Sequence, residues 1–173
     1  MIVLKPAYFY KDALLKQYKD IVFEDKYKYW NCDSWWQYEI NIENNSWNKL
    51  QFVSVDKNDN IIGYLCASID RDIHSVTSLG VLNFYDINVT FSRDLHKFLY
   101  NLLYEYKYRK LNFSVVIGNP AEKMYDKYVK KYNGRIVGVQ KDHVKLQDNQ
   151  FHDLKLYEIM NSNNHQYNNK GDI

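Results

Sequence analysis

The sequence predicts one α/β (α+β) domain, built on a mixed, mostly antiparallel sheet of about six or seven strands flanked by about four helices. Three observations carry that reading. The chain has 173 residues, 46% hydrophobic and 25% charged, the profile of a single domain that buries its own core without a disulfide or metal staple. The stretches 51–69 and 135–160 are each two β-type runs around turn residues, the signature of antiparallel hairpins. Between them a long amphipathic stretch separates the apolar runs 79–89 and 111–117. Strands joined by such a crossover helix, here expected over 93–109, lie parallel.

The elements follow in order. A first strand is expected over 2–7, and Leu14, Tyr18, Ile21 and Val22 then recur at the spacing of an amphipathic helix. The stretch 31–48 sets Trp35, Trp36, Tyr38, Ile40 and Trp47 among polar residues. It reads as a second short helix and loop, broken at Asn44-Asn45-Ser46. Strands over 51–56 and 61–69 flank the turn residues 56–60, with Gly63 marking a bulge. The run 79–89 is apolar enough for a strand covered on both faces.

Thr90 and Ser92 offer helix N-caps. Leu95, Phe98, Leu99, Leu102, Leu103 and Tyr106 form the clearest helical stripe, closed by Lys107, Arg109 and Lys110 where the helix dipole favours cations. Over 111–117, Phe113, Val115 and Ile117 share one strand face, and Gly118-Asn119-Pro120 ends the run. Met124, Tyr125, Tyr128, Val129 and Tyr132 carry the last helix, with Asn133-Gly134 as its left-handed cap. Strands over 135–146 and 151–160 close the domain around Asp148-Asn149-Gln150. One domain over 1–160 is expected, followed by a polar, disordered tail over 161–173.

Several function classes fall away. Lys and Arg total 23 against 21 Asp and Glu, and the net charge of +2 gives no field that would draw in nucleic acid. Cys32 and Cys66 lack the spacing of a disulfide framework or zinc site, and the five histidines are scattered, so no metal is expected. No apolar run approaches the ~20 residues of a membrane helix. The N-terminal residues lack a basic leader and a small-residue cleavage site, so the expected location is cytoplasmic.

The order of elements, together with Val115-Val116-Ile117-Gly118-Asn119-Pro120-Ala121-Glu122-Lys123-Met124-Tyr125 and Gly134-Arg135-Ile136-Val137-Gly138-Val139, resembles the GNAT N-acetyltransferases over 2–160. The resemblance implies acetyl-CoA as co-substrate, clamped between two parallel strands that splay apart, and direct transfer of the acetyl group to an amine on a small molecule or protein. It gives Tyr125 as the acid for the departing thiolate, a role suited to a phenol of pKa near ~10. Asn119 is implied at the cofactor arm. Ile87, Asn88 and Val89 are implied as the backbone that holds that arm.

The family's pyrophosphate loop carries glycines, and 88–98 has none. Ser92, Arg93, Asp94 and Leu95, at the start of the central helix, stand at the corresponding place, where helical N–H groups attract an anion. Asp86, near the end of the central strand, is the expected general base. Trp30, Trp35 and Trp36 fall where the family walls its acceptor pocket, although tryptophans there also suit a core seal. A homodimer is compatible with this reading. The missing glycines also admit a rival of another class, a catalytically silent GNAT-like domain that binds another protein through its aromatic surface.

Overall fold

A computed structural model describes residues 4–30, 40–86 and 88–161. Its strands are β1 (Lys5–Pro6), β2 (Lys49–Val55), β3 (Ile61–Asp70), β4 (Ser75–Asn83), β5 (Lys110–Val116), β6 (Arg135–Lys145) and β7 (Phe151–Met160). The helices are α1 (Lys11–Ile21), α2 (Val89–Tyr100) and α3 (Glu122–Lys131). One seven-stranded sheet runs in the order β1-β2-β3-β4-β5-β7-β6. Every neighbouring pair is antiparallel except β4 and β5, which are parallel. The expected sheet is therefore present, with three α-helices among the described residues. Of the stretch expected to form a further short helix, 31–39 lies outside those residues and 40–48 has no helix.

Strand alternation sends side chains to two cores. On one face α2 and α3 cover Leu65, Ala67, Leu111 and Phe113 with Leu95, Phe98, Leu99, Leu102 and Val129. On the other, α1 and the segment after it cover Val53, Tyr64 and Leu82 with Leu14, Tyr18 and Tyr27. The apolar stripe of α2 is buried as its periodicity predicts, apart from Tyr106, which is exposed. After Tyr100 the helix widens into a π-turn over Asn101–Glu105 and stops where Lys107 takes a left-handed φ of 57°. The basic residues expected in its last turn therefore lie beyond it, and Lys110 already opens β5.

Other local expectations need correction. The central strand runs from Ser75 to Asn83 instead of over 79–89. Asn88 caps α2, its Oδ1 accepting from the Phe91 N–H at 3.0 Å, where Thr90 and Ser92 were expected to do so. The left-handed cap of α3 is Asn133, with φ of 52°. Gly134 serves close approach instead, since a Cβ there would sit 2.5 Å from Glu158 O. Beside Gly63 the register slips, Ser54 pairing with Gly63 and Val55 with Ile61, so the expected bulge is present. A Cβ on Gly63 would also lie 2.1 Å from the Phe91 ring.

Candidate active site

β4 and β5 pair only through Ser75 with Lys110 and Val76 with Leu111. Beyond those pairs β4 continues to Asn83 and β5 to Val116 with no ladder between them, so the strands part toward their C-terminal ends. The Phe84 N–H bonds Ile62 O at 3.1 Å. By antiparallel alternation the even-numbered residues of β4 bond β3, and Leu79, Val81 and Asn83 turn their main-chain N–H and C=O groups toward the gap. The open edge of the central strand is thus 79–83, where the sequence pointed to 87–89. Ile87 lies outside the described residues, Asn88 spends its side chain on the cap, and Val89 is the first residue of α2.

The N-terminus of α2 stands beyond the end of β4. Its Phe91 N–H is taken by Asn88 Oδ1 and its Ser92 N–H by Asn88 O, leaving the Val89 and Thr90 N–H groups without intrahelical acceptors. Ser92 and Arg93 are exposed beside them. Asp94 and Leu95 are buried and face the core, and Asp94 Oδ2 accepts from Ser54 Oγ at 2.5 Å. Burial pushes the Asp94 carboxyl above its ordinary pKa, against the opposing pull of Ser54, Lys97 and Arg93. Phe91 wedges between this helix and Gly63, which explains the glycine inside β3.

On the β5 side, Asn119 N–H bonds Val116 O, Glu122 N–H bonds Asn119 O, and Asn119 Oδ1 accepts from the Ala121 N–H at 2.9 Å. Its side-chain oxygen therefore shapes the turn into α3. Tyr125 is buried, its ring edge-on to Phe113 at 5.3 Å and 79° and to Tyr157 at 6.2 Å. Lys155 on β7 pins the same helix, bonding Glu122 at 3.0 Å and Asp126 at 2.8 Å. Tyr157 Oη donates to Asp126 Oδ1 at 2.7 Å, and burial before all else raises the Tyr157 pKa to about 12. The Lys155 anchor, formed across distant positions, left no signal in local sequence pattern.

The mouth of the gap is crossed by the segment 24–30. Tyr27 Oη donates to Phe84 O at 3.2 Å, just past β4. A Cβ on Gly118, just past β5 and at φ +92°, would lie 3.4 Å from Tyr29 Oη. Asp86 is exposed in the bend after β4. Trp30 packs against Tyr64 with ring centroids 6.4 Å apart, while Trp35 and Trp36 lie outside the described residues. Asp86, Trp30 and the β4 edge thus gather at one end of the sheet, and Tyr27 and Tyr29, which sequence reasoning passed over, join them. No group of three or more potential metal ligands occurs among the described residues, and no described helix is long and apolar enough to cross a membrane.

No protein-family model matches the chain, and no curated protein matches its sequence. Solved structures do match. A point mutant of the spermidine N-acetyltransferase SpeG from Vibrio cholerae aligns at TM-score 0.57 and 19% identity over 74% of this chain and 73% of that one. The spermidine/spermine N-acetyltransferase SpeG from the same organism, in complex with manganese ions, aligns at 0.58 and 18% over 72% of each chain. A protein described as a probable acetyltransferase aligns at 0.54 and 12% over 66% of this chain and 63% of that one. The chain has a GNAT-like acetyltransferase fold.

Proposed function

We propose that this chain is an N-acetyltransferase that moves an acetyl group from acetyl-CoA directly to the amine of a small molecule, in the cytoplasm. The observation that carries the reading is the parallel pair bonded at one end and open at the other. Its open edge offers unspent N–H and C=O groups at Leu79, Val81 and Asn83, which suit the amides of an extended pantetheine arm. The Val89 and Thr90 N–H groups suit its diphosphate without the glycines usual in such loops. Ser92 and Arg93 add exposed donors there. The structures with this fold that are named for spermidine act on a small amine, which supports the acceptor class.

In this reading Asp86 takes the proton from the attacking amine, the β4 main chain steadies the oxyanion, and Tyr125 gives its proton to the departing thiolate. Asn119 holds the turn from β5 into α3 that carries Tyr125. A homodimer belongs to the same proposal, supported by the exposed Ile136, Val137 and Val139 on the edge strand β6. Titration calorimetry with acetyl-CoA and CoA tests the central claim. Saturable binding of both is expected, and no heat from either at millimolar concentration would remove the acetyltransferase assignment.

A further inference from the structure

The segment that closes the mouth of the gap carries a specific chemistry. Trp30 Nε1 is a buried donor with no hydrogen-bond partner, and proteins rarely leave such an N–H unmatched unless something else meets it. The aromatic faces beside it are already taken by the protein's own cations. Lys26 Nζ stands 4.9 Å from the centre of the Tyr27 ring and Lys28 Nζ 5.6 Å from that of Tyr29. Two carboxylates of the segment are spent as well, Glu24 on Lys26 at 3.5 Å and Asp25 on Lys28 at 3.2 Å.

Such a wall is poor for a polycation. An ammonium bound along it would displace a lysine from each ring or compete for a carboxylate already paired. Asp86 remains nearby for one amine. An oxygen acceptor on the ligand would satisfy the indole N–H, which tyrosines and lysines, themselves donors, leave unanswered.

We infer that the acceptor is a monoamine with an apolar body and a carbonyl or hydroxyl oxygen that accepts from Trp30 Nε1, and that polyamines are disfavoured. The inference rests on the acetyltransferase reading and names the substrate class of that same site. A site with a buried donor discriminates against analogues lacking the matching acceptor more sharply than an apolar wall can.

The test uses the full chain, acetyl-CoA and three amines: phenylalaninamide, 2-phenylethylamine, which lacks the carbonyl, and spermidine. Wild type is expected to acetylate phenylalaninamide with the highest kcat/KM. Trp30→Phe, which keeps a ring and removes the N–H, is expected to shrink the preference for phenylalaninamide over 2-phenylethylamine about tenfold, the size of one neutral hydrogen bond. Comparing that ratio between the two proteins cancels the different basicities of the amines. Spermidine as the preferred acceptor, an unchanged ratio in Trp30→Phe, or bound acetyl-CoA with none of the three acetylated would each overturn the inference and leave the acetyltransferase reading standing. Absence of acetyl-CoA binding by calorimetry would instead remove both. Should Trp30→Phe fail to fold, the ranking of the three amines by wild type decides.

Discussion

The two ends of the β4–β5 pair are built from the same strands and held by opposite means. At the closed end main-chain groups answer one another: the Arg109 N–H bonds His74 O at 2.9 Å and the Asn161 N–H bonds Arg109 O at 2.9 Å. Asn161, 4% exposed, sends its Nδ2 to Leu103 O at 2.5 Å and Tyr108 O at 3.3 Å. At the open end no ladder joins the strands, and side chains keep them apart. Phe91 against Gly63 fixes α2 over β3, while Phe113, Tyr125 and Tyr157 with the Lys155 anchor fix α3 over β5 and β7. The contrast shows how a sheet can hold a ligand-sized opening without losing its core. Hydrogen bonding supplies the hinge, and packing supplies the wedges.

The largest expected effect lies at the open end. If Tyr125 is the acid, Tyr125→Phe keeps the ring's packing on Phe113 and removes the proton, so single-turnover rate should fall roughly 10²–10⁴-fold with acetyl-CoA affinity little changed. Full rate in that variant would return Tyr125 to a purely structural role. The next effect lies at the closed end, where Asn161→Ala leaves two buried carbonyls unanswered. A loss of about 1–3 kcal/mol is expected, lowering Tm by very roughly 2–12 °C for a chain of this size. Acetyl-CoA affinity should not follow, because the damage is at the hinge, and a matching loss of affinity would show that the two ends are not independent.

Lys155→Met probes the wedge on the β5 side. Its ion pairs are partly exposed, so about 1 kcal/mol of stability is at stake. The hydrogen bond from Lys155, before that from Tyr157, holds the Asp126 carboxyl below its ordinary pKa. A depressed carboxylate pKa stabilises the fold above the unfolded value near ~3.9 and loses that contribution as pH falls through the folded one. The Tm gap between wild type and Lys155→Met should therefore be full at pH 7 and narrow below about pH 4. A gap that does not narrow in acid would show that Lys155 acts by packing alone.

Sequence pattern reached the elements whose signal is local and stopped where distant contacts decide. The closing hairpin and the stripe of α2 follow from periodicity. The central strand was misplaced because Val81, Leu82, Phe84 and Val89 form one apolar run across the point where the chain leaves the sheet. Its paired end, Ser75 to Ser78, is polar and looked like loop. Ser75 is nonetheless fully buried, its Oγ donating to Ile73 O at 3.0 Å. Trp30 and Asp86 were legible as pocket candidates because chain order alone sets them near a strand end. The Leu79, Val81 and Asn83 main chain was not, since an open edge depends on register, and register is a property of two strands.

The smallest expected effect comes from Asp94, which read as a first-turn carboxylate complementing the helix dipole. It is 1% exposed and faces Ser54, and burial raises its pKa. A raised carboxyl pKa means that folding favours the protonated form. That contribution is full below the unfolded value near ~3.9 and is lost as pH rises through the folded one, leaving a constant penalty at neutrality. Asp94→Asn keeps the shape and an oxygen for Ser54 while removing the charge. Its Tm should exceed that of wild type at pH 7, with the difference closing in acid below about pH 4. The same substitution removes an anion near the α2 N-terminus, so CoA should bind about two- to fivefold more tightly, and more so at low salt. Destabilisation at pH 7 would mean that the ionised carboxylate is needed there, and unchanged CoA affinity with the expected gain in Tm would place the diphosphate away from α2.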